Sequence, residues 1–227
     1  MRFQDAAKDA RTVVYAGIQA DPLVATAAEL LAAASPAQRV MARAVMNGET
    51  LDLDGWRTTF PTLFSDDVPE PATPAERIGS EAILACAVRV ADRGDEIRNQ
   101  LRGAIVEALT ERILVERVGA EAVRRERRIL FDGVQAEIHP YDVTVERAGA
   151  AEAYDCKWGA RGINADVLNQ LDDARAHAAD EDERLAVALV VFDAQLSCDV
   201  RLARQSAPTD GIGVVSIESL DGLAGRR

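Results

Sequence analysis

Tyr141-Asp142-Val143-Thr144-Val145-Glu146-Arg147-Ala148-Gly149-Ala150-Ala151-Glu152-Ala153-Tyr154-Asp155-Cys156-Lys157-Trp158 decides how this chain is read. Two runs with strand character, Tyr141–Val145 and Glu152–Trp158, flank Arg147-Ala148-Gly149-Ala150, where a glycine suits a tight hairpin. A turn centred between Ala148 and Gly149 leaves Asp142 and Asp155 equally far from it. The two are therefore expected opposite one another on neighbouring strands, with Cβ atoms about 5 Å apart. Side chains alternate along a strand, so Asp155 and Lys157 share the face of Asp142, while Tyr154, Cys156 and Trp158 take the other. Facing carboxylates repel unless a cation lies between them. A divalent metal held by oxygen ligands does this, and Lys157 stands beside the same spot.

Outward from the hairpin, Arg127-Arg128-Ile129-Leu130-Phe131 reads as an earlier strand closed by the turn signal Asp132-Gly133. Before it, a helix is expected from about Asp95 to Val118, with Ile97, Leu101, Ile105, Ala108, Leu109 and Ile113 as its apolar stripe. After the hairpin, Asn164 can cap a helix running to about Ala179. Leu185 to Phe192 is a continuous apolar run consistent with a buried strand, and Gly213–Ile217 reads as a last one. Residues 3 to about 60 read as short helices, Ser35-Pro36 opening one of them. Pro61, Pro69, Pro71 and Pro74 mark a linker, and Thr73-Pro74-Ala75-Glu76 resembles a capping box opening a helix toward Ala91. The expected division is a helical region, 1–72, followed by an α/β domain, 73–227.

The chain has 227 residues, 48% hydrophobic and 28% charged, which suits a globular protein and excludes wholesale disorder. Its net charge of −12 weighs against broad adhesion to nucleic acid, so any polyanion must be met by a local basic path, a partner or metal ions. Arg124, Arg125, Arg127 and Arg128 form the dense basic cluster, either a solvated strand edge or a ridge that contacts phosphate. Asp180-Glu181-Asp182-Glu183 reads as a solvated helix end. Three separated cysteines, Cys86, Cys156 and Cys198, form no disulfide framework or zinc cluster, and Cys156 reads as a packed core thiol. No signal core or membrane-length apolar run occurs, so a cytoplasmic location is expected. His139 and His177 have no spacing that argues a catalytic triad, and Gly159-Ala160-Arg161-Gly162 is not a phosphate loop.

Asp142-Val143-Thr144-Val145 followed by Asp155-Cys156-Lys157 resembles the signature of the PD-(D/E)XK nuclease superfamily. The resemblance covers roughly the C-terminal half. It implies a restriction-endonuclease-like αβββαβ core with a mixed sheet, preceded here by an all-helical N-terminal extension. It also implies catalysis by Asp142, Asp155 and Lys157, with Mg²⁺ (or Mn²⁺ in its place) on Asp142 and Asp155. Members of the superfamily often add a glutamate from the first core helix and a glutamine after the lysine. Gly103-Ala104-Ile105-Val106-Glu107 and Asn169-Gln170-Leu171 fit those places, which implies Glu107 as a further metal ligand that helps bind a second ion and Gln170 as a catalytic residue, although a solvated Glu107 and an exposed Gln170 need no such role. Glu137-Ile138 resembles the common lead-in to the first aspartate but is separated from Asp142 by His139-Pro140-Tyr141, which makes Glu137 a fallback ligand.

The activity so implied is phosphodiester hydrolysis, with DNA preferred over RNA as partner. Lys157 would orient the water, deprotonate it or stabilise developing charge, and the sequence does not choose among these. Host defence is the setting expected of a small nuclease with an unfamiliar helical extension. Two alternatives stay open: an RNA-cleaving effector of the same fold, and an inactive nuclease-like module that binds a protein partner, or a second copy, through its N-terminal helices.

Overall fold

A computed structural model describes residues 1–6, 10–134 and 139–225. The chain forms two compact units: Thr12–Leu109, which is helical, and Met1–Arg11 together with Thr110–Arg227, which holds a sheet. Glu137 lies outside the described residues.

The elements are β1 (Arg2–Asp5), α1 (Ala10–Gln19), α2 (Pro22–Ala32), α3 (Pro36–Asn47), α4 (Leu53–Thr59), α5 (Pro61–Phe64), α6 (Pro74–Ala91), α7 (Asp95–Val118), β2 (Val123–Leu130), β3 (Tyr141–Arg147), β4 (Ala150–Lys157), α8 (Ala165–Asp180), β5 (Leu185–Val191), α9 (Gln195–Leu202), β6 (Ile212–Val215) and α10 (Leu220–Leu223). From α7 to β5 the order is helix, three strands, helix, strand, as the sequence predicts. The protein is α/β with a six-stranded mixed sheet in the order β1-β2-β3-β4-β5-β6. Pairing is antiparallel from β1 to β4 and parallel from β4 to β6. Parallel neighbours need a crossover, which α8 supplies between β4 and β5.

The hairpin forms in the expected register: Arg147 pairs with Ala150, Val145 with Glu152 and Val143 with Tyr154. Its turn needs Gly149, whose φ of +80° is unfavourable for residues with a Cβ. Asn164 caps α8, its side chain accepting the Val167 N–H at 3.1 Å. Leu168, Leu171, Ala174 and Ala178 of α8 then pack on Ala151 and Ala153 of β4 and on Leu185, Val187, Leu189 and Val191 of β5. The two small alanines leave room for that helix.

Three expectations are corrected. Residues 2–5, placed among the helices, form β1 on the edge of the sheet, with Phe3 opposite Ile129; that pairing spans more than a hundred residues and leaves no local signal. Helix α6, assigned to the second domain, packs on α2 and α3 instead. Its buried Ile83, Leu84, Ala87 and Val90 supply the apolar face, so the boundary at 72/73 falls inside the helical unit. Ile97 is 39% exposed and does not belong to the buried stripe of α7. Capping follows the sequence closely in the helical unit: Ser35 and Thr73 each form a reciprocal capping box, with Gln38 and Glu76. Arg39 is fully buried there, its Nε donating to the Leu31 carbonyl at the end of α2.

Candidate active site

Asp142 opens β3 and Asp155 and Lys157 close β4, so the antiparallel pairing brings all three to one end of the sheet. Strand β5, parallel to β4, ends there too, and the carboxyl ends of parallel strands are where open α/β sheets commonly bind ligands. Asp142 is the next position beyond the last regular pair, Val143–Tyr154. Its Oδ2 accepts the Cys156 backbone N–H at 2.6 Å, which fixes one carboxylate oxygen against β4.

Asp155 is 9% exposed and the Lys157 side chain 27%. The Lys157 ammonium contacts Asp155 Oδ1, and this buried oxygen has no hydrogen-bond donor of ordinary geometry among the described residues. Burial acts to lower the Lys157 pKa, but the carboxylates of Asp155 and then Asp142 outweigh it and hold it above the usual lysine value. Lys157 is thus an ammonium at neutral pH. On the opposite face, the Cys156 thiol donates to Thr110 Oγ1 at 3.5 Å and is a packed core group, as expected. Glu152 on that face holds both Arg117 and the Tyr154 hydroxyl.

The remaining predicted residues find other partners. Both carboxylate oxygens of Glu107 are occupied within the helical unit, by the Tyr15 hydroxyl at 2.5 Å and the Gln19 amide at 2.8 Å. A Cβ on Gly103 would come 3.2 Å from that hydroxyl. The Gly-x-x-x-Glu spacing thus seats Tyr15 one helical turn before the carboxylate it binds. Gln170 donates to the His139 carbonyl at 3.0 Å, and its own carbonyl accepts from the Tyr141 hydroxyl at 3.3 Å, bracing the start of β3. Among the described residues no three His, Cys, Asp or Glu side chains gather as a metal cluster. The site is therefore a carboxylate pair with a lysine.

The arginine cluster is largely engaged with the protein's own acids. Arg125 pairs with Glu111, Arg127 with Asp5 and Glu146, and Arg124 donates to the carbonyls of Ala120 and Val123. Glu126 between them has a φ of +53°, a left-handed kink in the strand that separates Arg125 from Arg127.

Two residues that the sequence reading passed over support the site. Asp193, 7% exposed just beyond β5, accepts the Ala160 N–H on Oδ2 at 3.0 Å and the Ala194 N–H on Oδ1 at 2.8 Å. Gly162 lies against the Lys157 side chain. A compositional signal was also present: of 26 lysines and arginines only Lys8 and Lys157 are lysine. A chain that otherwise uses the fixed, forked guanidinium keeps a compact ammonium at this position.

No family model matches the chain, and no curated protein matches it. Among solved structures, the crystal structure of protein VC1899 from Vibrio cholerae aligns at a TM-score of 0.40 and 14% identity, over 99% of this chain and 57% of that one. The chain spans little more than half of that protein's length, and neither fold nor activity is carried over from it. No helix among the described residues is long and apolar enough to cross a membrane.

Proposed function

We propose that this protein is a metal-dependent nuclease of restriction-endonuclease-like architecture, hydrolysing phosphodiester bonds with DNA as the preferred substrate. The observation that carries the reading is a lysine ammonium held on the Asp155 carboxylate, with Asp142 beside it, at one end of the β3–β4 hairpin.

The residues present fit a divalent ion. Asp155 Oδ1 is buried without a regular donor, so its lone pairs are directed at a cation, and Lys157 is the cation it has. The Cys156 N–H fixes the Asp142 carboxylate against β4, beside the same lysine. Mg²⁺ is commonly held through one or two carboxylates, with waters and substrate phosphate oxygens filling its octahedron. Asp142 and Asp155 would supply those carboxylates, and Mg²⁺ held by them would lower the pKa of a water and neutralise phosphate charge. Lys157, its ammonium held by the two carboxylates, donates hydrogen bonds: it orients the attacking water and stabilises charge growing on the phosphate oxygens. Its burial strengthens that interaction relative to one in bulk water.

The test is incubation of the protein with plasmid, single-stranded DNA and RNA in Mg²⁺, Mn²⁺ or EDTA. Cleavage of DNA that EDTA abolishes supports the reading. Cleavage of RNA alone transfers the activity to the RNA-cutting alternative. No cleavage in any metal overturns the enzyme and leaves the partner-binding module.

A further inference from the structure

Lys157 is followed by a short 3-10 turn, Ala160–Gly162, that is tied down on both sides. Buried Asp193 accepts its first N–H, from Ala160, and the Arg201 guanidinium of α9 donates to the Ile163 carbonyl at 2.8 Å. Within the turn, the Gly162 N–H reaches the Gly159 carbonyl at 2.9 Å and the Ile163 N–H the Ala160 carbonyl at 3.0 Å. This anchored turn presses Gly162 onto the aliphatic stem of Lys157: a Cβ there would lie 2.8 Å from Cδ and 2.9 Å from both Cβ and Cγ. Three stem atoms at that range include the Lys157 Cβ, fixed to the strand backbone, so swinging the far end of the side chain does not relieve the overlap. Gly162 has an ordinary backbone conformation, since its φ is not among the positive ones. The requirement for glycine is therefore the space that Lys157 fills.

We infer that Gly162, carried on the turn held by Asp193 and Arg201, is a positioning residue that fixes the Lys157 ammonium on Asp155. A lysine stem with four rotatable bonds is held against one wall, and its head is left a single reach, toward the carboxylates. This rests on the nuclease reading for its catalytic consequence, but the placement of Lys157 is measurable without any activity.

With only two lysines in the chain, Lys8 and Lys157, the side-chain methylene resonances of selectively labelled lysine report the site directly. In the full-length wild type one lysine should show the shifts and restricted motion of an enclosed side chain, and Lys157→Arg should remove that signal. Gly162→Ala should move it toward the free lysine position and leave the Lys8 signal in place. Cleavage should fall on the order of 10- to 100-fold in kcat, with KM for DNA unchanged, the scale expected when a catalytic group is displaced by about 1 Å. If Gly162→Ala does not fold, Arg201→Ala loosens the turn from its half-exposed side and should shift the same resonance in the same direction. A folded Gly162→Ala, or in its place a folded Arg201→Ala, with the Lys157 resonance unchanged overturns the inference. A resonance that moves in a protein with no wild-type cleavage upholds the positioning and rejects the nuclease.

Discussion

Glu107 in the helical unit and Asp155 in the sheet unit are both buried carboxylates, and they are satisfied in different ways. Glu107 in the helical unit is 5% exposed, and neutral donors, the Tyr15 hydroxyl and the Gln19 amide, occupy both its oxygens. Asp155 in the sheet unit is 9% exposed; among the described residues its Oδ1 is met by the Lys157 ammonium, without regular hydrogen-bond geometry. Burying a charge is costly unless its lone pairs are met. Where they are met by fixed neutral groups, the carboxylate is part of the architecture. Where they are met by one cation, a second cation can compete for them. Both residues fit a metal-binding pattern in the sequence, and it is the partners that separate them.

The largest effect that could break this contrast is on cleavage. Asp155→Asn and Lys157→Ala should each lower the rate of DNA cleavage by at least about 100-fold, as expected for loss of a group that stabilises transition-state charge. Glu107→Gln should leave the specific activity of the folded protein unchanged. A Glu107→Gln protein that folds but does not cut would return Glu107 to the catalytic set.

Stability should show the reverse. Glu107→Gln keeps one acceptor oxygen but replaces the other by an N–H₂, which meets one of the Tyr15 and Gln19 donors and weakens a buried pair, so thermal or denaturant unfolding should report a loss of about 1–3 kcal/mol. Metal binding gives a third handle. Mn²⁺ at a hundredfold excess over its Kd should stabilise the wild type by about 2.7 kcal/mol, and Asp142→Asn should lose that shift. An equal rise in both proteins would move the metal away from the carboxylate pair.

Smaller effects are expected from the arginine cluster and from one helix cap. Arg124→Glu with Arg128→Glu should flatten the salt dependence of DNA binding by a slope of about 0.9 for each phosphate contact removed. Arg125→Glu with Arg127→Glu should act mainly on folding, because it sets like charges against Glu111, Asp5 and Glu146. The smallest concerns the Glu76 carboxyl, which its hydrogen bonds to Thr73 hold below the usual 4.5. A depressed folded value stabilises above the unfolded one and is lost as pH falls through it. The melting deficit of Thr73→Ala should therefore be present at neutral pH and shrink below about pH 4.5.

What was legible in the sequence was set by short range. The β3–β4 register follows from the turn around Gly149 and the period of two, and the helix starts at Ser35, Thr73 and Asn164 follow from caps within three residues. The carboxylate pair and Lys157 came with that register. The rest depended on partners distant in sequence: Tyr15 and Gln19 for Glu107, Glu111 and Asp5 for the arginines, Asp193 for the turn behind Lys157. A glycine five residues after the lysine carries no sign that it serves as a wall. The rarity of lysine was visible throughout, a global signal that narrows attention to two positions, 8 and 157.

Strand β1 has a consequence for how the molecule is made. Its four residues pair with Arg127–Leu130, and the whole helical unit lies between the two in sequence. During synthesis β1 waits for more than a hundred residues before its partner exists, and closing so long a loop costs entropy that only the finished sheet returns. Until then the outer edge of β2 is open to any other strand, a template for self-association that the completed protein covers. Residues 2–5 thus act as a late latch: the Arg127–Leu130 edge of β2 is covered only once synthesis has passed Leu130 and β1 has folded back on it, which leaves the four-residue β1 as the edge strand.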